Sequence, residues 1–483
     1  MVSRSRTLVR GTTWILAASV IVTLAQLPYA AATSRIVTPQ DFGSYGAALS
    51  GIALIGLITA NSFGPLSARE LDPSPQIFRQ LLGSALLLGL IAGTTAILIS
   101  GPWERLWSAP GTATTMRWAS FILLILPAQK LLVGEARRSG RFKLLSSSTA
   151  LSGFAAILIG FLAVYHWRSS SALIALTTTQ SWVQVAILLV MLKVPWIPRL
   201  PSSEMIPRLR FARSVTGVSL VQYGMLTTGP LTIGRAVGEA ALGQFNRAAT
   251  FAVLPLATLQ TAIHDVLYPE FRHDIHNTDR SWTLWPKLVT LAAWLALPAG
   301  LAGGVALRAL IPPVLGPQWG AAASMAIPLA IGAAVGIPSS LLAVGLEATG
   351  KFKHVAAGLV PSLAIIGLGC FFTASTGSFL PMVWAIALQP AANHLTQIVF
   401  AGRAGISDAS ATLRGYIGPL TASLLLGVWT ALIMNRLFAT DILAVIGLSA
   451  VAALAAALAF WQRTRIPAFR IAQELGLLNL RVS

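Results

Sequence analysis

A few cationic residues interrupt otherwise apolar stretches of this 483-residue chain, and these side chains are the ones best placed to do chemistry. Lys130 lies seven residues before Arg137, about 10 Å into an apolar run, and Arg247 lies at a similar depth in another. Ionisable side chains are expensive to hold in an apolar environment, so each is a functional candidate. Their depth predicts an anionic ligand.

A second group of polar residues is less deeply placed or uncharged. Arg35, Arg117 and Arg235 lie near the ends of apolar runs, whereas Gln222 and Gln260 lie within them. All five are candidate ligand contacts. The alternative for every cation, Lys130 and Arg247 included, is snorkelling, in which the stem lies along lipid and the charge reaches the interface. The alternative for the glutamines is hydrogen bonding between helices.

The composition excludes a soluble protein. Charged residues make up only 10% of the chain, against about 25% in ordinary soluble domains, and the mean hydropathy is +0.73. The net charge of +19 is spread thinly along hydrophobic sequence, so no nucleic-acid partner is expected. Cys370 is the only cysteine, which excludes a disulfide framework. No catalytic residue, metal or cofactor is expected.

The apolar runs predict an all-α membrane protein with about fourteen transmembrane helices, each run being long enough to cross the bilayer. The predicted spans lie near residues 12–33, 43–65, 79–100, 115–134, 143–165, 171–192, 212–234, 241–263, 286–308, 321–344, 354–374, 379–401, 415–435 and 441–461. With both termini cytoplasmic, 25 of the 34 Lys and Arg residues fall inside and 8 outside. This bias is what the positive-inside rule requires.

Two pairs of similar segments indicate an internal repeat. Residues 34–48 align with 234–248 at an offset of 200, and residues 139–143 align with 349–353 at an offset of 210. Six spans per repeat give two parallel lobes, an arrangement that suits a transport pathway opened by rocking one lobe against the other. A channel or an inert duplicated scaffold is the alternative. The predicted division is an N-terminal six-helix lobe, a basic Pro-rich linker, a C-terminal six-helix lobe, and two further helices with a basic amphipathic tail, at residues 1–193, 194–211, 212–402 and 403–483.

The repeated segments also carry a family resemblance. Residues 34–45 and 233–248, together with the shorter segments 267–269, 315–319 and 347–351, resemble polysaccharide and O-antigen flippases. These flippases belong to the multidrug/oligosaccharidyl-lipid/polysaccharide exporter superfamily. The resemblance implies movement of a polyprenyl-diphosphate-linked oligosaccharide from the inner to the outer leaflet, with the sugar and diphosphate crossing a cationic cavity. The planar fork of arginine suits a diphosphate.

The same resemblance implies a bacterial plasma membrane protein that is not an enzyme, with a lipid-linked glycan as substrate. A polysaccharide polymerase or glycosyltransferases are its expected partners, and the oligomeric state stays open. No Asp or Glu lies near the centre of a predicted span, which favours an anionic or neutral sugar cargo over a cationic drug. The alternatives are a multidrug or metabolite exporter of the same superfamily and a membrane polysaccharide polymerase. The energy source is open between membrane potential and the flow of substrate.

Overall fold

A computed structural model describes most of the chain, and the described residues form helices without a strand. Those residues are 2–61, 63–64, 74–195, 197–200, 220, 223–258, 260, 278–348 and 351–438. The helices are α1 (Val2–Ile36), α2 (Pro39–Ala60), α3 (Pro75–Trp107), α4 (Thr112–Arg138), α5 (Phe142–Trp167), α6 (Ile174–Leu192), α7 (223–236), α8 (Glu239–Ala252), α9 (Thr278–Leu315), α10 (Gly320–Ala348), α11 (Phe352–Thr376), α12 (Leu380–Arg403), α13 (Ala409–Gly415) and α14 (Ile417–Phe438).

These helices confirm the all-α fold class. Each of the first twelve predicted spans overlaps, in its described part, the helix of the same number from α1 to α12, and the thirteenth overlaps α14. Residues 212–219 of the seventh span and 261–263 of the eighth lie outside the described residues. The last predicted span, residues 441–461, lies outside the described residues. Within the described ranges, nine helices are long and apolar enough to cross a membrane.

Many large apolar side chains point outward instead of into a core, as expected for helices surrounded by lipid. Examples are between 70% and 78% exposed and lie on four different helices: Leu98, Val190, Leu226 and Leu425. A soluble monomer rarely exposes so much apolar surface. The side chains therefore support a membrane environment independently of the length of the helices.

Local signals explain where several helices begin. The side chain of Thr38 accepts a hydrogen bond from the Asp41 N–H ahead of α2, and Ser74 does the same with Ile77 ahead of α3. In both cases a proline follows the cap at the first helical position, where its missing N–H costs nothing.

The shorter repeat pair has an equivalent backbone hydrogen bond in both copies. The Arg141 N–H donates to the Ala136 carbonyl at 2.9 Å, and the Lys351 N–H donates to the Leu346 carbonyl at 2.8 Å. Both bonds close a helix end in the six-to-one pattern of a Schellman motif. The two pairs differ in number by 210, which is the offset that the sequence predicts.

Contacts between Cα atoms divide the chain into two compact units. Unit 1 contains residues 1–247 and 373–379, and unit 2 contains residues 248–372 and 380–483. Apolar cores in unit 1 pack α2 to α6 together, and a core in unit 2 packs α9, α10 and α12. The lobe and linker boundaries derived from the sequence remain a prediction.

Candidate functional site

The helices α2 and α8 cross at two glycines that the repeat alignment makes equivalent. A Cβ atom at Gly43 would collide with the carbonyl oxygen of Glu239, and one at Gly243 would collide with the carbonyl oxygen of Pro39. Adding 200 to Gly43 and Pro39 gives Gly243 and Glu239, so the two contacts are the same contact made reciprocally. Only glycine allows the two backbones to approach so closely.

Arg247 lies beside this crossing and is deeply buried, with 7% of its surface exposed. Its Cζ atom lies 3.8 Å from the centroid of the Phe42 ring, which places the guanidinium over the ring face. Two of its nitrogen atoms, Nε and Nη1, have no hydrogen-bond partner among the described residues. A buried cation with unpaired N–H groups can bind an anion without first breaking a hydrogen bond at those groups.

Two tyrosines complete the surroundings of Arg247. The phenol groups of Tyr29 and Tyr45 both interact electrostatically with the guanidinium. The Tyr29 hydroxyl is also buried without a partner, and the Tyr45 ring meets the Phe42 ring edge-on at 6.5 Å between centroids. The Phe42 ring contacts the guanidinium, and the Nε and Nη1 atoms keep their hydrogen-bonding capacity for a ligand. We call Arg247, Phe42, Tyr29 and Tyr45 the aromatic arginine site.

Lys130 lies in a different part of unit 1, in a cavity of about 580 Å³ between α2, α4 and α6. Apolar side chains of α2 line one part of this cavity, including Leu49 and Ile52. Around Lys130 the lining is polar and consists of Asn61, Gln129, Thr177, Gln180 and Ser181. The Lys130 side chain is exposed within this space, which we call the lysine cavity.

Side-chain hydrogen bonds fix the polar wall of the lysine cavity. Gln129 Nε2 donates to Gln184 Oε1 at 2.7 Å, and Gln184 Nε2 donates in turn to Thr149 Oγ1 at 3.1 Å. These two hydrogen bonds link α4, α6 and α5. It holds the Gln129 side chain next to Lys130 and accounts for part of the hydrogen-bonding capacity of the wall.

One helix connects the two regions. Phe42 of the aromatic arginine site is in the first turn of α2, and Leu49, Ala53 and Asn61 of the lysine cavity follow along α2 and at its C-terminal end. At 1.5 Å per residue, Phe42 and Ala53 are about 16 Å apart along the helix axis. Arg247, on α8, and Lys130, on α4, therefore belong to two separate sites that lie along α2.

The remaining predicted residues have other surroundings. Arg117 Nε donates to Ser100 Oγ at 3.2 Å, Arg235 Nη1 donates to the Leu106 carbonyl at 2.9 Å, and both side chains are exposed. Arg35 is exposed in the last turn of α1. Gln260 is a half-buried residue of unit 2. Gln222 lies outside the described residues. A ligand role for these five residues stays a prediction.

Sequence reasoning missed the residues that enclose Arg247. Nothing in the sequence around Tyr29 or Phe42 indicates a partner about 200 positions away. Asn246 was missed as well: its Nδ2 donates to the Phe42 carbonyl at 3.2 Å. The repeat offered a signal, because Asn246 faces Gly46, the glycine at its own equivalent position.

Carboxylates gather near the start of α8, before the predicted eighth span. Burial raises the pKa of Glu239 above its ordinary value, and the negative charge of Asp41 raises it further. Asp41 itself is well bonded: it accepts from the Ser170 N–H at 3.2 Å and from the Thr38 hydroxyl at 2.6 Å. The ionised form of Glu239 is therefore destabilised by its surroundings.

The sequence of this chain matches a known protein family. The family described as "Polysaccharide biosynthesis protein" matches residues 33–324. The chain belongs to this polysaccharide biosynthesis protein family. The matched region contains Arg247, Phe42 and Tyr45 of the aromatic arginine site and all residues that line the lysine cavity. The match confirms the resemblance found in the repeated segments.

Two proteins with similar sequences have names that refer to polysaccharide biosynthesis or transport. The chain is 22% identical over 316 residues to the lipopolysaccharide biosynthesis protein WzxC of Escherichia coli K12, covering 64% of each chain. It is 22% identical over 258 residues to the succinoglycan biosynthesis transport protein ExoT of Rhizobium meliloti, covering 51% of this chain and 50% of that one. The chain thus spans less than two thirds of the length of either relative.

Solved structures show the same fold. The lipid II flippase MurJ in an inward closed conformation matches with a TM-score of 0.65 at 10% identity, over 88% of this chain and 99% of that one. An inward-facing multidrug resistance MATE transporter matches with a TM-score of 0.55 at 16% identity, over 83% and 98%. This member of the polysaccharide biosynthesis family is therefore a multi-pass membrane protein with an all-α transporter fold.

Proposed function

We propose that the protein moves a lipid-linked oligosaccharide from the inner to the outer leaflet of a bacterial plasma membrane, for the assembly of a surface polysaccharide. The observation that carries this proposal is the buried Arg247 guanidinium, whose Nε and Nη1 atoms have no hydrogen-bond partner among the described residues and can therefore bind an anion. Family membership and the names of WzxC and ExoT support a polysaccharide cargo.

The diphosphate of such a cargo explains why a buried arginine is useful. A diphosphate carries about two negative charges, and its transfer out of water is costly unless cations and hydrogen bonds replace the lost hydration. Arg247 supplies both in one planar group. Arg247 is buried, with its guanidinium over the Phe42 ring, and the low local dielectric strengthens its attraction for phosphate.

The lysine cavity supplies the second part of the proposed pathway. Lys130 is the cation of this cavity, and the amide and hydroxyl groups of Asn61, Gln180 and Ser181 are suited to sugar hydroxyls. We propose that the cargo meets the two cations in succession, along the face of α2, as the protein alternates between inward-open and outward-open states. Both termini are cytoplasmic in this proposal, and a polymerase or glycosyltransferases are its partners.

The first experiment separates the two cations from the general charge of the protein. In a deletion strain, Arg247→Ala and Lys130→Ala should each reduce polymer export roughly tenfold or more, because a lost hydrogen bond to a charged group costs about 1.5–3 kcal/mol. Lys143→Ala is the matched control, since Lys143 is an exposed cation at the start of α5. Polymer on the cell surface and protein in the membrane are both quantified.

Normal export by both Arg247→Ala and Lys130→Ala would rule out the cationic pathway. A second experiment tests the reaction itself: in the deletion strain, lipid-linked glycan should accumulate on the inner leaflet, where it is inaccessible to an external glycosidase. A deletion strain with no such accumulation would rule out a flippase and leave the exporter alternative.

A further inference from the structure

Unit 2 has a cavity of about 480 Å³ between the first turns of α9 and the segment that contains α13 and the start of α14. On α9 it is lined by Trp282, Pro286, Lys287, Thr290 and Trp294, which follow one face of the helix. On the opposite side the lining residues are Asp408, Ala411, Arg414, Gly415 and Gly418.

A proline ties the two sides of this cavity together. Pro286 has no N–H, so the carbonyl of Trp282, four residues earlier, has no helical hydrogen bond from that position. The Asp408 N–H donates to this carbonyl at 3.4 Å. The loop before α13 is thereby fastened to the start of α9, and the cavity lies directly beside this bond.

Two glycines beside the cavity lie very close to side chains of α9. A Cβ atom at Gly415 would collide with the Thr290 hydroxyl, and a Cβ atom at Gly418 would lie about 2.5 Å from the Trp294 ring. The backbone at the end of α13 and the start of α14 therefore approaches α9 closely.

The charges that face this cavity are Lys287, Arg414 and Asp408. The Asp408 carboxylate is occupied as the cap of α13: it accepts from the Ser410 N–H at 2.9 Å and from the Ala411 N–H at 3.0 Å. These bonds, with that from Ala411 the largest cause, hold the pKa of Asp408 below its usual range. Two cations face one carboxylate that is already bonded.

The position of the cavity at the end of two membrane helices decides which anion fits. The apolar part of α9 begins at Leu284, and the span that includes α14 begins at Ala409. Lys287 therefore lies in the first turn of one span and Arg414 in the second turn of the other. Tryptophan, lysine and arginine are the residues that concentrate at the level of lipid headgroups. Basic pockets between membrane helices bind the headgroups of anionic lipids.

We propose that this cavity binds the headgroup of an anionic phospholipid, with Lys287 and Arg414 contacting the phosphate and Trp282 and Trp294 lying against the glycerol and the first methylenes. The predicted topology places the site in the inner leaflet. It uses none of the residues of the aromatic arginine site or the lysine cavity, so it stands independently of the proposed transport function.

The test uses the full-length protein in nanodiscs, with phosphatidylglycerol as the probe and phosphatidylcholine as the neutral comparison. Bound lipid is measured by native mass spectrometry. Lys287→Gln and Arg414→Gln should each weaken phosphatidylglycerol binding about fivefold, since one cation near a lipid surface is worth about 1 kcal/mol. Arg403→Gln is the matched control, because Arg403 is an exposed cation of unit 2 outside the cavity.

Asp408→Asn provides a variant with the opposite sign. Asparagine also caps helices well, so α13 is retained while the one negative charge of the cavity is lost. Phosphatidylglycerol binding should then increase severalfold. This variant keeps the proposal testable even if Arg414→Gln fails to fold, which size-exclusion chromatography would reveal.

Three results would overturn the proposal. Equal weakening by Arg403→Gln would indicate diffuse attraction to charge, and equal binding of phosphatidylcholine would exclude selection for an anion. Inorganic phosphate that displaces phosphatidylglycerol at equal concentration, with the same dependence on Lys287 and Arg414, would assign the cavity to a soluble phosphate group instead of a lipid.

Discussion

The repeated segments 34–48 and 234–248 have the same backbone geometry but different chemistry. In each segment two residues separate the end of one helix from the start of the next, and each segment contributes one glycine to the crossing of α2 and α8. The position occupied by Arg247 in the second copy is occupied by Ala47 in the first. The first copy is apolar where the second is charged.

The surroundings of Ala47 show that this difference extends beyond one side chain. Ala47 is completely buried and packs with Trp107, Ala109 and Leu242 in a small apolar cluster. Its carbonyl accepts a hydrogen bond from Trp103 Nε1 at 2.9 Å. The two copies therefore share the glycine contact, whereas only the second copy has a cation at the position next to it.

Substitution of the crossing glycines should have the largest effect. Gly43→Ala and Gly243→Ala each place a Cβ against a backbone carbonyl, which can move only with its helix, so each should cost about 1–3 kcal/mol of stability. Gly101→Ala is the control, because a Cβ at Gly101 meets no atom within 4 Å. Thermal unfolding in detergent measures all three. A large effect at only one of the crossing glycines would contradict a reciprocal contact.

Conversion of the charged copy to an apolar one should separate stability from transport. Arg247→Met removes a buried charge that has unpartnered N–H groups, so the protein should gain about 1–2 kcal/mol of stability while polymer export is lost. Arg117→Met, at an exposed arginine, is the control and should leave stability nearly unchanged. A fall in stability for Arg247→Met would show that the guanidinium is mainly structural.

The contact between the Phe42 ring and the guanidinium should make a smaller contribution to the free energy of unfolding. Phe42→Leu keeps an apolar side chain but removes the ring face under the guanidinium, and its coupling to Arg247→Met should be about 1 kcal/mol. A double-mutant cycle on thermal stability measures this coupling. Additive effects of the two substitutions would mean that the ring only fills space.

Glu239→Gln should have the smallest effect, and this effect should depend on pH. The pKa of Glu239 is raised by burial and by Asp41, so its ionised form opposes folding at neutral pH. The variant should therefore unfold on the order of 1 °C higher at pH 7. The difference should vanish as pH falls below the ordinary carboxyl pKa, where Glu239 is neutral in the folded and unfolded states alike. A constant difference at all pH values would exclude an electrostatic origin.

The order of the helices could be predicted from the sequence because apolar length and positive charge are local properties. The second repeat pair could also be predicted, since Gly140 and the residues around it encode a helix end by themselves. The enclosure of Arg247 could not be predicted, because Phe42 and Tyr29 meet it only when distant segments pack. The same holds for the Gln129–Gln184 bond, which spans 55 positions.

The reciprocal glycine contact is of the kind found in isologous interfaces, where residue i of one copy touches residue j of the other and the reverse also holds. Two separate copies of this segment would form it as a symmetric homodimer, and every substitution would then appear on both sides. Fusion into one chain removes that constraint. It lets one side acquire a buried guanidinium without placing a second positive charge opposite it, which no homodimer of identical subunits could achieve.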